Sequence, residues 1–359
     1  MVEGAHVGQE CAGILQVHPT RLCNLACAHC YSSSSPGART MLRPHQITGA
    51  IEDAAALGFN VVSLSGGEPL VYDGLEDVID AAHQVGSRVN LVSNGVLIRS
   101  RRYERLAGKF SIVALSLDGL PERHNAIRGS EKLFESVRAA AEELRRSGQP
   151  FGIIHTLCSE SMGEIEDLAG VVSDWGASLL QLHPFERAGR GTSSVDMTEL
   201  CDDERLDALL VAAVLQEDFP KLRIQIDLVH REVARRIPAA IHGASLKEPM
   251  EPRELVLQDD GRILPLTYGM DGAWTVADLT KERLSAGWTE FIGSRWLGLR
   301  RCLRRACVAT ARGRHGEVVA WHALIRRYAE SGAAPAERAS RWPTQTRSSS
   351  CSSDLSRQI

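Results

Sequence analysis

Three cysteines, Cys23, Cys27 and Cys30, stand four and three residues apart in the segment Pro19-Thr20-Arg21-Leu22-Cys23-Asn24-Leu25-Ala26-Cys27-Ala28-His29-Cys30-Tyr31. Thiolates at these spacings can turn toward one centre, and they are soft donors that suit zinc or iron–sulfur. A structural zinc ion asks for a fourth ligand. His29 is on offer but lies between two of the cysteines, poorly placed to close the same tetrahedron. On a four-iron cluster, three cysteines leave one iron open to a ligand. Such clusters reach potentials of about −700 mV, low enough for reductive cleavage of a sulfonium. The bland alternative is three buried thiols acting as small hydrophobes. Met1 to Gly13 holds no apolar run of the secretion type, so the expected compartment is the reducing cytoplasm. There the nine cysteines are better read as metal or catalytic groups than as disulfides.

Further polar motifs fall where apolar runs end. Ser65-Gly66-Gly67-Glu68-Pro69 offers glycines that let backbone approach a ligand, with Glu68 as an anion for a cationic group. Ser93-Asn94-Gly95 and Ser116-Leu117-Asp118-Gly119 put short polar side chains at two more such ends, where turn chemistry alone would also place them. In His124-Asn125-Ala126-Ile127-Arg128-Gly129, Arg128 can grip a carboxylate with two hydrogen bonds, or serve as a surface ion pair. Gln181, His183 and Glu186 near one run's end, and His155 within another, are candidates for substrate contact. Cys158 is a candidate hydrogen-atom donor, with an inert buried thiol as the alternative.

Cys-Asn-Leu-Ala-Cys-Ala-His-Cys-Tyr resembles the signature of the radical S-adenosylmethionine (radical SAM) superfamily, and the later motifs follow in that family's order over roughly 14–190. The resemblance implies a partial (β/α)6 barrel of the TIM type. It implies a [4Fe-4S] cluster on Cys23, Cys27 and Cys30, whose open iron chelates S-adenosyl-L-methionine. One electron then yields a 5′-deoxyadenosyl radical that takes hydrogen from substrate. Gly66, Gly67 and Glu68 are implied at the amino group of S-adenosyl-L-methionine. Ser93, Asn94 and Asp118 are implied near its ribose and methionine parts, and Arg128 at its carboxylate. The His-x-x-x-Arg-Gly run is similar to one in the peptide- and cofactor-modifying branch.

The elements that would hold these residues repeat a unit. Short Val-, Ile- and Leu-rich runs read as strands at Ile14–His18, Val61–Ser65, Val89–Ser93, Ser111–Leu117, Phe151–Leu157 and Ser178–His183. Amphipathic stripes lie between them, for example Leu75, Val78, Ile79 and Ala82, with Gly58, Gly86 and Gly148 as stops. Alternating strand and helix predicts a parallel α/β sheet with right-handed crossovers, as a partial barrel or an open sheet. In either, strand carboxyl ends are where ligands bind.

The organisation expected is a lead over 1–13, a core over 14–190 and a linker helix region over 191–219. A smaller α+β region over 220–330 and a disordered tail from Ser331 to 359 complete it. Glu254–Leu257 and Arg262–Thr267 flank Gln258-Asp259-Asp260-Gly261 as a hairpin, and Leu299–Tyr328 reads as largely helical and basic. The hairpin resembles the opening of the SPASM or twitch domain, which holds extra clusters, but Leu266 stands where that domain has a cysteine. A degenerate, cluster-free version is therefore expected, with a small site on Cys201, Cys302 and Cys307 as the alternative.

The 359 residues carry 41 basic and 45 acidic side chains, a balance that gives no global pull toward nucleic acid. The arginines between Arg300 and Arg314 read as a solvated helix face. No apolar run reaches the ~18 residues that a membrane helix needs. The function expected is radical chemistry of the oxidoreductase type on a ribosomally made precursor peptide. Electrons would come from a flavodoxin or ferredoxin, and a separate recognition protein would present the peptide. A small-molecule substrate (sugar, porphyrin or cofactor precursor) and a non-catalytic zinc-binding scaffold are the competing readings.

Overall fold

The computed structural model describes residues 13–193, 196–236 and 251–333. The core runs β1 (Gly13–Val17), α1 (Pro44–Ala56), β2 (Phe59–Leu64), α2 (Leu75–Gln84), β3 (Arg88–Ser93), α3 (Arg101–Leu106) and β4 (Ile112–Ser116). It continues through α4 (Pro121–Arg128), α5 (Leu133–Arg146), β5 (Phe151–Leu157), α6 (Ile165–Asp174) and β6 (Leu179–Pro184). Beyond it lie α7 (Asp202–Asp218), β7 (Arg223–Ile226), β8 (Leu228–His230), α8 (Arg231–Arg236), β9 (Glu254–Leu257), β10 (Arg262–Pro265) and β11 (Ala277–Asp278). The chain ends in α9 (Leu284–Ser294), α10 (Trp296–Ala311), β12 (Val318–Ala320) and α11 (Trp321–Ala333).

Strands β1 to β6 pair in sequence order, all parallel, which is the α/β partial-barrel arrangement. Each strand alternates between two faces. Leu15, Val17, Leu91, Leu115, Ile153 and Leu180 are buried and pack against helix residues such as Ile47, Leu75, Val137 and Leu168. The alternate positions, including Gln16, Ser116, Ile154, Thr156, Gln181 and His183, are half-exposed and line the inner wall.

The sheet is wider than the six expected strands. β7 adds in parallel beside β6, and β9 adds in parallel beside β1. β10 and β11 extend that edge antiparallel, so the hairpin continues the core sheet. The break between α10 and α11 holds β12, which pairs with β8. Of the predicted tail, 331–333 lie in α11; 334–359 and the lead before Gly13 lie outside the described residues. Among the described residues no helix is long and apolar enough to cross a membrane.

Candidate active site

The cysteine loop leaves the carboxyl end of β1 and is pinned from several sides. Cys23 N donates to Ser35 O (3.2 Å) and Ala28 N to Ile127 O (3.0 Å). The segment after β6 wraps back onto the loop. Arg190 donates from its backbone N to Cys30 O (3.0 Å), from Nε to Cys27 O (2.9 Å) and from its guanidinium to Ser34 O (2.6 Å). Arg21 pairs with the buried Asp259 of the β9–β10 turn at 2.9 Å. Neither Arg190 nor Asp259 was picked out from the sequence. Both act through contacts more than a hundred residues away, which no local signal reveals.

The glycines after β2 serve this loop directly. Gly66 has a φ of +103°, and a Cβ there would stand 3.0 Å from His18 Cα. A Cβ on Gly67 would meet Leu22 O at 2.2 Å. Gly67 N donates to Thr20 O (2.9 Å) and Glu68 N to Leu22 O (3.0 Å), so the turn is stitched to the residues that precede Cys23. The Glu68 side chain points inward and is fully buried. It accepts from Asn94 N (2.9 Å), Ser93 Oγ (3.0 Å) and Leu70 N (3.2 Å). Burial pushes its carboxyl up to about 7 despite these donors. Glu68 is thus a brace between strand ends, which leaves the half-exposed Gly66–Gly67 backbone as the part of the motif open to a ligand.

Asp118 and Arg128, predicted as separate contacts, are partners. Arg128 Nε and Nη2 both lie 2.7 Å from Asp118 Oδ2, and both side chains are buried. His124 and Arg128 stand one helical turn apart on α4 and share a face. Asp118 N donates to His124 Nδ1 (3.0 Å), so the His-x-x-x-Arg run closes on Asp118 from two directions. His29 Nε2 (3.2 Å) and Thr156 N (3.1 Å) complete the shell. Against the upward push of burial, Arg128 with His29, His124 and His155 holds the Asp118 carboxyl well below the usual range.

The donor set can be tested against the group that the motif implies. Among the described residues, no three His, Cys, Asp or Glu side chains converge on a single ion. A cubane presents its irons at separate corners, so thiolates that hold it need not meet at a point. Each thiol has a polar neighbour. Leu25 N (3.4 Å) and Asn94 Nδ2 (3.8 Å) face Cys23, Arg128 Nη1 (4.0 Å) faces Cys27, and Ser32 Oγ (3.4 Å) faces Cys30. Burial pushes the Cys23 thiol up to about 11 and raises Cys27 as well, so metal must displace their protons. Within the loop, His29 Nδ1 is buried without a partner, an orphaned polar atom of the kind a ligand satisfies. The residues fit a cluster with a polar ligand beside it.

Other candidates divide. His183 and Gln181 line the inner wall, whereas His155 points the other way. His155 is fully buried, with Nδ1 at Leu117 O (3.0 Å) and Nε2 at Ser161 Oγ (3.3 Å), which makes it a structural residue. Cys158 is fully buried too; its backbone N donates to Ser161 Oγ (3.0 Å), and its thiol lies 3.6 Å from the same hydroxyl. Glu186 is taken by Arg326 of α11. Leu266 is buried in the core with a φ of +72°. Cys302 and Cys307 are buried on α10, and the Cys307 thiol donates to Ala234 O (3.4 Å).

A parallel partial barrel with a cysteine loop at the end of its first strand is the arrangement that the sequence resemblance implies. Residues 17–172 match the family model of the Radical SAM superfamily, whose members use a [4Fe-4S] cluster and S-adenosyl-L-methionine. The chain is 29% identical over 180 residues to pre-heme d1 synthase of Dinoroseobacter shibae, which is 49% of this chain and 44% of that protein. It is 25% identical over 192 residues to the sporulation killing factor maturation protein SkfB of Bacillus subtilis, 53% of this chain and 47% of that one. The chain thus spans about half the length of these curated relatives. Its fold matches Streptococcus suis SuiB bound to S-adenosylmethionine with a TM-score of 0.63 at 18% identity, covering 81% of this chain and 69% of that one.

Proposed function

We propose that the protein is a radical SAM oxidoreductase that modifies a peptide. The observation that carries the reading is the meeting of four consecutive strand ends around one loop. These are the cysteines after β1, the glycines after β2, Ser93 and Asn94 after β3, and Asp118 with Arg128 after β4. Cys23, Cys27 and Cys30 would hold the cluster. Gly66 and Gly67 would present backbone to the S-adenosyl-L-methionine amino group, and Arg128 would face its carboxylate. When bound, these groups supply one-electron cleavage of the sulfonium and an adenosyl radical that takes hydrogen from substrate.

The chain's own residues hold and orient. Asp118 fixes the Arg128 guanidinium by two contacts, leaving Nη1 toward the cysteine loop. Glu68 locks the ends of β2 and β3 through backbone amides. Asn94 bridges to Asn24 (2.7 Å), which keeps the β3 end against the loop. A small redox protein of the flavodoxin or ferredoxin type would supply the electron, and a separate recognition protein would present the peptide. The likeness to SkfB supports a peptide substrate. The likeness to pre-heme d1 synthase supports a second reading, a porphyrin-type small molecule.

The test is anaerobic reconstitution with iron and sulfide, followed by S-adenosyl-L-methionine and dithionite. Mass spectrometry should find 5′-deoxyadenosine from the wild type and none from Cys27→Ala. A fully loaded wild type that forms none, with or without peptides and porphyrins, overturns the reading. Enhancement by peptides rather than porphyrins separates the two substrates.

A further inference from the structure

Two helices away from the cofactor site carry opposite charge. α10 has four arginines and no acidic residue. α7 has six acidic residues and one arginine, Arg205, which is turned onto Asp202 (3.0 Å). At about 3.6 residues per turn, Leu297, Arg301, Arg304 and Val308 fall within about 60° of arc on α10. Asp203, Asp207, Leu210, Val214 and Glu217 fall within about 80° on α7. All nine residues are exposed, Leu297 and Leu210 at 56% and Val214 at 58%.

A single exposed apolar side chain is ordinary, but these share stripes with charges that are also unmet. Among the described residues, no ion pair or hydrogen bond reaches the side chains of Arg301, Arg304, Asp203, Asp207 or Glu217. Nor do the stripes meet within one chain. A Cβ on Gly316, just past α10, would lie 2.9 Å from Asp202 Oδ2, so the carboxyl end of one helix and the amino end of the other share a corner. The stripes themselves stay open.

Their spacing matches across two chains. Set the helices antiparallel with Arg301 opposite Asp207. A rise of about 1.5 Å per residue then puts Arg304 within about 1.5 Å of the level of Asp203. In the other direction Leu297 stands about 6 Å along, between Leu210 at about 4.5 Å and Val214 at about 10.5 Å. Opposite charges come face to face, and three apolar side chains leave water together.

We propose that the two stripes form one interface, in which α10 of one copy docks on α7 of a second copy of this chain. Charge selects this occupant. The residues after 333 carry four arginines against one glutamate and one aspartate, so α10 repels them. A nucleic acid would suit the arginines but not Leu297 and Val308, and it leaves the acidic stripe of α7 without a role. One helix pair is smaller than a standard interface, so the association is weak and sensitive to salt. The proposal is independent of the radical chemistry and of the substrate.

The test is sedimentation velocity on the reconstituted full chain over about 1–200 μM. Mass should rise with concentration at about 0.05 M salt and much less at about 0.5 M. Arg301→Glu with Arg304→Glu should raise the dissociation constant about tenfold or more, and Asp203→Lys with Asp207→Lys should do the same. Mixing the two variants, or combining all four reversals in one chain, should restore association to within about threefold of the wild type. A chain that stays monomeric at every concentration, an association that ignores the reversals, or reversals that do not rescue each other overturns the proposal. Where a reversal unfolds the chain, Arg301→Gln and Asp207→Asn replace it. Each should weaken association, and both together should weaken it no more than one alone; losses that multiply overturn the proposal.

Discussion

Gly67→Ala puts a methyl group where backbone already stands. The new Cβ would lie 2.2 Å from Leu22 O and 2.9 Å from Leu22 C. Relief to 3.4 Å, the near edge of ordinary contact, takes a shift of 1.2 Å. A carbonyl cannot swing aside as a side chain can, so the loop that leads into Cys23 must move. That movement strains the Gly67–Thr20 and Glu68–Leu22 hydrogen bonds. Overpacking plus two weakened hydrogen bonds amounts to about 2–5 kcal/mol. Gly49→Ala in α1 is the control, since its Cβ meets nothing within 4 Å and should add about 0.5–1 kcal/mol. Urea denaturation reads the stability, and iron and sulfide content after anaerobic reconstitution reads the loop. Gly67→Ala should lose most of its iron while the control retains it. A Gly67→Ala protein that loads iron like the wild type and unfolds within about 0.5 kcal/mol of it would refute the idea that this contact shapes the cysteine loop.

Asp118→Asn leaves Arg128 buried beside a neutral amide and should cost about 3–5 kcal/mol in urea denaturation, with part recovered in the Asp118→Asn, Arg128→Gln double variant. His18 is buried and burial lowers it from 6.5 to about 3, so the folded state keeps it neutral while the unfolded chain protonates. Its contribution is complete above pH 6.5 and is lost as pH falls toward 3, at up to about 1.4 kcal/mol per pH unit; His18→Gln should flatten that slope in denaturation series run across this range. Cys302→Ser with Cys307→Ser should leave the iron content after reconstitution at the wild-type value, about four per chain for one cluster, and a clear drop below the wild type would show that these cysteines hold an auxiliary cluster.

The six core strands were legible because each is short, rich in branched apolar residues and followed by an amphipathic stripe with a glycine stop. Gly58, Gly86 and Gly148 do take positive φ at those stops. β7 escaped notice because Arg223-Ile224-Gln225-Ile226 alternates polar and apolar residues and pairs on one side only. The hairpin was read correctly from Asp260-Gly261, but local sequence says nothing about which edge a hairpin joins. Motif residues were found by type and spacing, and their partners were not. Nothing in one sequence ties Asp118 to Arg128, Asp259 to Arg21, or Arg190 to Cys27 O. His155 failed as an inner-wall candidate by strand parity. It is one residue from Thr156, and neighbours on a strand face opposite ways.

The pattern of unmet polar groups argues independently about where a ligand belongs. Buried polar networks stabilise a fold only when complete, and here the strand-end network is nearly so. Glu68 has three donors and the Asp118 carboxylate has Arg128, His29 and Thr156. The shortfalls include three imidazoles at the same end of the sheet: His18 Nε2 beneath the cysteine loop, His29 Nδ1 inside it and His124 Nε2 on α4. His18 also stacks on Tyr268 (4.8 Å between centroids), which meets Tyr31 edge-on (4.9 Å). The two strand-end carboxylates are satisfied and these neighbouring nitrogens are not, the pattern expected where a ligand supplies the missing partners. Occupancy of the site should therefore remove part of the shortfall, and the chemical shifts of the His29 ring nitrogens on ligand addition are the direct readout. Rings that do not respond would assign His29 to the scaffold alone.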